Sequence, residues 1–247
     1  MERNRILEVC VDSLASARAA IRGGADRLEL CSALAIGGLT PYAALLEQIR
    51  SESHIPVRCL MRPRAGDFLY SKEEIMQMAR EIDVLRKAGA DGFVIGCLTP
   101  EGDLDERAMA PLLTAAQGSG LTLHRCIDVS RDLIATYEKA GALGIDTVLT
   151  SGGAPSATAG METIGRLLSL DGPQVLIGAG VNARVISHFR EVYPEAACFH
   201  MSGKTEIESG MVFRREGIPM GIPGFDEWHI QQTGEKAVRK AKEALTK

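Results

Sequence analysis

The sequence of 247 residues contains no long uninterrupted apolar run. Its apolar stretches fall well short of the ~20 residues that a membrane-spanning helix needs, so we expect no membrane span. The N-terminus also lacks the apolar core of a signal peptide, because Met1 to Arg5 is charged and the short stretch Ile6–Val11 is interrupted by Glu8. These two absences predict a cytoplasmic protein.

The sequence also lacks an excess of either charge and any CxxC pair. Its 28 basic and 32 acidic side chains are interspersed, whereas nucleic-acid binding calls for a basic face, so we expect no nucleic-acid partner. Six cysteines are present, and in a chain that buries a large core we expect free thiols in a reducing compartment. With 45% hydrophobic and 24% charged residues, the composition excludes disordered, collagen-like and coiled-coil chains.

A short apolar or β-branched run followed by a helical pattern recurs about eight times along the chain. The predicted strands are Ile6–Val11, Arg27–Cys31, Val57–Arg62, Gly92–Leu98, Leu121–Asp128, Thr147–Ser151, Gln174–Ala179 and Ala197–Ser202. The predicted helices are Ser13–Arg22, Pro41–Arg50, Lys72–Lys87, Glu106–Gln117, Leu133–Ala140, Met161–Leu170, Ala183–Val192 and Glu235–Lys247. This alternation predicts an α/β fold with a parallel sheet, and its length favours one domain over residues 1–247, a (β/α)8 TIM barrel.

One connection is much longer than the others. Residues 203–234 separate the eighth predicted strand from the last helix and are rich in glycine and proline. We expect a long loop here. Loops of this length are uncommon and serve as lids, binding loops or interaction arms, or are solvated excursions without a role. The sequence leaves both interpretations open.

Strand alternation predicts which side chains point into the barrel, because the opposite face of each strand must be apolar to pack under the helices. The predicted inward residues are Glu8, Cys10 and Asp12; Arg27, Glu29 and Cys31; Thr122, His124, Cys126 and Asp128; and Cys198, His200 and Ser202. Arg58, Leu60 and Arg62 share one face of the third strand. Barrel interiors are normally filled by Val, Ile and Leu. Because unpaired buried charges are costly, this set predicts either internal ion pairs or a functional site at the barrel mouth.

The segments that follow several strands favour binding of an anion. Arg62 and Arg64 lie in a Gly/Pro loop after the third strand, and arginine forks suit carboxylates and phosphates. Small residues follow strands six to eight, where such barrels often bind phosphate. The candidate phosphate-binding residues there are Ser151, Gly178, Gly180 and Ser202.

Two of the cysteines form a candidate metal site. Cys10 and Cys31 end adjacent strands with the same inward parity, and neighbouring strands are only ~4.8 Å apart. Two such sulfurs could converge on a soft ion such as Cu(I), with His124 and His200 as further ligands. The other cysteines are predicted to be small buried hydrophobic residues.

A series of motifs runs in order along essentially the whole chain. They are Glu8-Val9-Cys10, Gly24-Ala25-Asp26-Arg27-Leu28-Glu29-Leu30-Cys31, Gly37-Gly38-Leu39-Thr40-Pro41, Arg62-Pro63-Arg64-Ala65-Gly66-Asp67-Phe68, His124-Arg125-Cys126-Ile127-Asp128, Val148-Leu149-Thr150-Ser151-Gly152 and Gly178-Ala179-Gly180-Val181. With these motifs the sequence resembles the CutC family of copper homeostasis proteins.

The resemblance implies a (β/α)8 barrel, a cytoplasmic location and a role in copper handling. It also implies copper binding by two cysteines, which match Cys10 and Cys31 by motif position. The sequence departs from the family pattern at Ala65, where glycine is usual, and at Cys126-Ile127, where Ala-Phe is usual. Neither departure removes a polar group.

Three functional hypotheses follow. The first is a copper homeostasis protein that binds copper through Cys10 and Cys31. The second is a lyase, isomerase or hydrolase acting on a phosphorylated or carboxylated metabolite, with Arg62 and Arg64 holding the anion. Its candidate catalytic residues are Glu8, Glu29, Arg62, His124 and Asp128. The third is an interaction scaffold that uses residues 203–234. All three are compatible with a homo-oligomer.

Overall fold

In the computed structural model, which describes residues 5–215, 217–218, 220–221 and 226–247, eight parallel strands form a closed barrel in chain order. The strands are β1 Ile6–Val11, β2 Arg27–Leu30, β3 Val57–Leu60, β4 Gly92–Ile95, β5 Gly120–Leu123, β6 Thr147–Thr150, β7 Gln174–Ile177 and β8 Cys198–Met201. The helices are α1 Leu14–Arg22, α2 Ala43–Glu52, α3 Lys72–Lys87, α4 Glu106–Ala115, α5 Leu133–Ala142, α6 Met161–Leu168, α7 Ala183–Val192 and α8 Glu235–Thr246. The predicted (β/α)8 barrel is therefore confirmed.

The repeated aspartate before alternate strands has a structural role in the barrel. Each carboxylate accepts a hydrogen bond from a backbone N–H at the start of the preceding strand: Asp26 from Leu7 at 2.7 Å, Asp91 from Val57 at 2.7 Å and Asp146 from Leu121 at 2.6 Å. The glycine at the end of the preceding helix has a positive φ, +91° at Gly24 and +100° at Gly89. The three-residue segments that end at these aspartates, each beginning with a glycine, thus return the chain from a helix to the sheet and tie neighbouring strands together.

The strand faces separate two kinds of core. Leu7 and Val9 are fully buried in a large apolar core under the helices, to which their outward counterparts on the other strands also belong. On the inner side, Cys10, Cys31, Leu60 and Val94 form a separate small apolar cluster. Strand register also brings polar side chains to this inner side, among them Glu8, Glu29 and His200.

The fifth strand is shorter than predicted, because β5 ends at Leu123 and a 3-10 helix follows at Arg125–Val129. The His124 side chain begins this turn by accepting a hydrogen bond from the backbone N–H of Cys126 at 3.2 Å. Strand alternation therefore stops at His124. The predicted inward position of Cys126 is wrong, since this residue is buried in the large outer core.

The segment predicted as a long loop contains an antiparallel pair of strands, β9 Lys204–Glu208 and β10 His229–Thr233. This hairpin packs against α1, where the N–H of Thr233 donates to the Ser16 hydroxyl at 3.1 Å. It also supplies part of the wall of the cavity described below. Within the described residues, no helix is long and apolar enough to cross a membrane.

Candidate functional site

A cavity of about 650 Å³ opens at the carboxyl ends of the barrel strands. Its lining includes Cys10, Glu29, Leu60, Arg62, Phe68, His124, Arg125, Leu149, His200 and Ser202, together with residues of the β9–β10 hairpin. This is the end of the barrel where TIM-barrel active sites are built. The polar residues on its floor come from several strands, so the closed barrel is what brings them together.

A buried ion network lies beneath the cavity. Glu8 is fully buried, with Oε1 2.9 Å from His200 Nδ1 and Oε2 bonded to Arg27 Nε. Burial by itself raises the pKa of this carboxyl, but the charge of Arg27 and the hydrogen bond to His200 outweigh it and lower the pKa to about 2. Glu8 is therefore an ionised acceptor, so His200 Nδ1 is the donor and the other ring nitrogen, Nε2, is left for the cavity.

Strand register brings together three potential ligand atoms, one of which belongs to His200 of this network. Cys10 pairs with Glu29 across β1 and β2, and Glu8 pairs with His200 across β1 and β8. As a result one ligand atom from each of Cys10, Glu29 and His200 lies within 4.8 Å of the other two. Ligand atoms about 2.0–2.3 Å from a metal ion lie at most about 4.6 Å apart. The three ligand atoms therefore lie about as close together as the ligands of a single bound ion.

The protonation of the cluster follows from its surroundings. Burial disfavours the charged imidazole of His200, but Cys10, Glu29 and Glu8 together raise its pKa well above the ordinary value. The pKa of Glu29 is also raised, chiefly by burial. Without a metal, the cluster therefore holds protons that a bound ion would displace.

Cys31, the second predicted copper ligand, lies next to this cluster and is not part of it. Its Sγ is 3.5 Å from Glu29 Oε2, in the geometry of a thiol donating to the carboxylate. Burial, reinforced by the charge of Glu29, raises the pKa of the Cys31 thiol well above its usual value. The second strand thus contributes the Glu29 carboxylate to the cluster, and Cys31 contacts that carboxylate.

The remaining cysteines are packing residues, as predicted. All six cysteines lie among the described residues, and none of them forms a disulfide. Burial raises the pKa of Cys59 and of Cys97 to about 12, that of Cys198 to about 11, and that of Cys126 well above the ordinary value. These four thiols do not line the cavity.

The two predicted anion-binding arginines lie in different surroundings. Arg62 is buried and lines the cavity, where its guanidinium lies over the ring of Phe68 at 5.4 Å. Arg64 lies outside the cavity lining and makes ion pairs with Glu74 at 2.6 Å and Asp67 at 3.0 Å. The prediction that both arginines meet at one anion is therefore not what the structure shows.

Asp128 and Ser151, two other predicted site residues, act on the cavity through Arg125. The Asp128 carboxylate accepts hydrogen bonds from the backbone N–H of Ser151 at 3.0 Å and from Thr150 Oγ1 at 2.5 Å, which ties the 3-10 turn to β6. Asp128 and Ser151 both bond to Arg125, at 2.7 Å and 2.9 Å, and only Arg125 of these three lines the cavity. Asp128 and Ser151 thus position Arg125 at the mouth.

The two predicted glycines after the seventh strand, Gly178 and Gly180, have structural roles. A Cβ on Gly178 would lie 2.6 Å from Leu149 Cδ1, so this glycine makes room for a side chain of the barrel interior. Gly180, with φ +75°, lies in the turn before α7, which Asn182 caps. Neither glycine lines the cavity, whereas Ser202 does.

Comparisons with known proteins place this barrel in a family. A sequence model of the CutC family matches residues 5–204. The chain belongs to the CutC family. A family protein CutC from Porphyromonas gingivalis is 42% identical over 242 residues, which is 97% of each chain. A human copper homeostasis protein cutC homolog is 40% identical over 237 residues, which is 95% of this chain and 86% of that one.

Solved structures agree with this assignment. The Streptococcus agalactiae CutC structure has a TM-score of 0.75 at 26% identity, over 80% of this chain and 98% of that one. A thiamine phosphate pyrophosphorylase from Pyrococcus furiosus has a TM-score of 0.55 at 14% identity, over 98% and 95% of the two chains. The second likeness shows the barrel fold alone.

The CutC-family match covers the cavity floor and leaves out most of the hairpin. Cys10, Glu29, Arg62, His124 and His200 all lie within residues 5–204. The hairpin strand β10 lies beyond them, and its contribution to the cavity wall was missed from the sequence. Phe68 was also missed as a site residue, although its place at the end of the loop motif that carries Arg62 and Arg64 was a usable signal.

Proposed function

We propose that this CutC-family chain binds copper in the cytoplasm, at a site formed by Cys10, Glu29 and His200. The observation that carries this proposal is the convergence of a thiol, a carboxylate and an imidazole within 4.8 Å at the floor of one cavity. The name of the human relative as a copper homeostasis protein supports the choice of metal. Six cysteines without a disulfide are compatible with a reducing compartment, where Cu(I) is the form to be handled.

The donor set suits a soft ion. Thiolate sulfur selects Cu(I), and imidazole nitrogen is an accepted copper ligand, so Cys10 and His200 are the principal ligands in this proposal. Glu29 completes the set with an oxygen. Cys31, whose Sγ lies 3.5 Å from the Glu29 carboxylate, is the second sulfur available to the ion once its proton is displaced.

Glu8, which contacts the proposed ligand His200, also supports a metal site. The hydrogen bond from His200 Nδ1 to Glu8 fixes the ring orientation and directs Nε2 toward Glu29, at 3.7 Å. Carboxylate partners of this kind orient metal-binding histidines, and their loss typically costs 10- to 100-fold in affinity. Glu8 is therefore an orienting residue of the proposed site rather than a ligand.

A competitive titration tests the proposal. The reduced full-length protein is titrated with Cu(I) against a chromophoric chelator, in parallel with Cys10→Ser and a Cys10→Ser/Cys31→Ser double variant. We expect one copper per chain, weaker binding in Cys10→Ser and loss of binding in the double variant. The matched control is Cys59→Ala, which removes a buried thiol outside the cavity and should leave the affinity unchanged. Unchanged affinity in the double variant would refute the proposal.

The cavity favours a second candidate function, an enzyme acting on a phosphorylated or carboxylated metabolite. A volume of about 650 Å³ is far more than a copper ion needs and falls in the range of small-molecule sites. Cys10, Glu29 and His200 would then supply acid–base groups at its floor. Incubating the metal-free protein with such metabolites and following product formation tests this candidate; turnover that persists in His200→Gln would contradict it.

A further inference from the structure

Arg62 is a buried cation with two unused hydrogen-bond donors. Three of its five N–H groups donate to backbone carbonyls, those of Ile36 at 3.1 Å, Gly38 at 3.1 Å and Gly66 at 3.0 Å. Its Nε is buried and has no acceptor within the part of the chain that the structure describes. The ion pairs formed there all belong to other residues, so no carboxylate pairs with Arg62. The carbonyls hold the guanidinium in place and leave it without an anion.

His124, whose side chain lines the same cavity, has a second unused donor. Its Nδ1 accepts a hydrogen bond from the Cys126 N–H at 3.2 Å, so the ring proton is on Nε2. Burial and the charge of Arg62 lower the pKa of His124 to about 3, which keeps the ring neutral. Nε2 is buried and has no partner among the described residues.

The two donors share an aromatic neighbour. The Phe68 ring lies 4.7 Å from the His124 ring, between centroids, and 5.4 Å from the Arg62 guanidinium carbon. All three side chains line the cavity. Phe68 excludes water from one side of both donors, which strengthens any charge-assisted hydrogen bond that they make.

We propose that Arg62 and His124 form a binding site for the carboxylate or phosphoryl end of a small metabolite. Buried donors without partners are costly, and an oxyanion that accepts from both would remove that cost. An arginine fork matches the geometry of either group. The rest of such a ligand lies in the cavity that Cys10, Glu29 and His200 also line. The inference rests on the second candidate function for its ligand class, but it concerns binding, which is measured whether or not turnover occurs.

Calorimetric titration of the metal-free, reduced, full-length protein tests the site. Glycerol 3-phosphate and glycerate are the probes, because they share a small hydroxylated body and differ in the anionic group, and neutral glycerol is the blank. Tighter binding of one probe identifies the anion that the site prefers. We expect saturable binding of at least one probe and none of glycerol.

Matched variants locate the binding. Arg62→Met should weaken it about tenfold or more, because it removes a charge-assisted donor. Arg64→Met removes the same charge from the same loop outside the cavity and should leave the affinity unchanged. His124→Asn keeps an oxygen to accept from the Cys126 N–H and removes the Nε2 donor, so it should weaken binding even if Arg62→Met fails to fold.

Three results would overturn the proposal. The first is no saturable binding of either probe at millimolar concentration, which would mean that water satisfies these donors. The second is equal weakening in Arg62→Met and Arg64→Met, which would indicate nonspecific charge attraction. The third is full affinity in His124→Asn. Binding without any turnover would instead sustain this site and count against the enzyme.

Discussion

Replacing Glu8 by glutamine tests whether the buried ion network stabilises the barrel floor. The change leaves Arg27 and His200 buried without their carboxylate. The fall in the pKa of Glu8 from 4.5 to about 2 corresponds to about 3 kcal/mol of stability, at 1.36 kcal/mol per pH unit. Breaking a buried ion pair costs about 3–5 kcal/mol, which agrees. Urea unfolding followed by circular dichroism near pH 7 should therefore show a loss of about 3 kcal/mol.

The pH dependence gives a second readout of the same change. Because the folded-state pKa of Glu8 is lowered, its contribution is present above pH 4.5 and is lost as the pH falls toward 2. The wild-type protein should lose this stability over that range, and Glu8→Gln should lose less. The control is Glu52→Gln, which breaks an exposed pair with Arg18 and should cost far less. Equal losses in the two variants would refute the reasoning.

Three further predictions concern stability. Folding lowers the pKa of His124 from 6.5 to about 3, so the folded protein loses stability as the pH drops through that range. His124→Asn should make the stability depend less on pH there, which thermal melts at several pH values would show. Gly96→Ala places a Cβ 2.5 Å from the Cys126 Sγ and should cost about 1–3 kcal/mol of stability in urea unfolding. Gly118→Ala is the comparison: its Cβ lies in open space, so any cost there comes from the backbone strain at φ +77° and not from crowding. Arg58→Met removes the 2.7 Å ion pair with Asp146 and should cost about 2 kcal/mol in the same assay; an unchanged midpoint would contradict this.

The fold and the floor of the site could be predicted because both depend on local periodicity. Alternating strand and helix patterns predicted a parallel sheet and, with the chain length, favoured a closed barrel. The period of two along β1, β2 and β8 placed Glu8, Cys10, Glu29 and His200 on one face. Alternation determines which residues point inward. It does not determine which atoms converge, so the cluster of Cys10, Glu29 and His200 required the closed barrel.

The sequence-based predictions failed where a side-chain hydrogen bond, an ion pair or a long-range strand pairing overrides the local sequence pattern. The His124 cap on the Cys126 N–H ends β5 in a stretch that still alternates like a strand. Arg64 turns away from the cavity because Glu74, in the first turn of α3, offers it a carboxylate ten residues along the chain. The hairpin over the mouth was missed because its strands pair across more than twenty residues, a contact that composition does not reveal.

X-ray absorption at the copper edge of the protein loaded with one equivalent of Cu(I) tests the central claim most directly. The proposed site predicts a first shell that contains both sulfur and a nitrogen or oxygen neighbour, with the imidazole of His200 visible in the outer-shell scattering. The sulfur contribution should fall in Cys10→Ser and stay intact in Cys59→Ala. A shell that is the same in wild type and Cys10→Ser would contradict copper binding at the floor of this barrel.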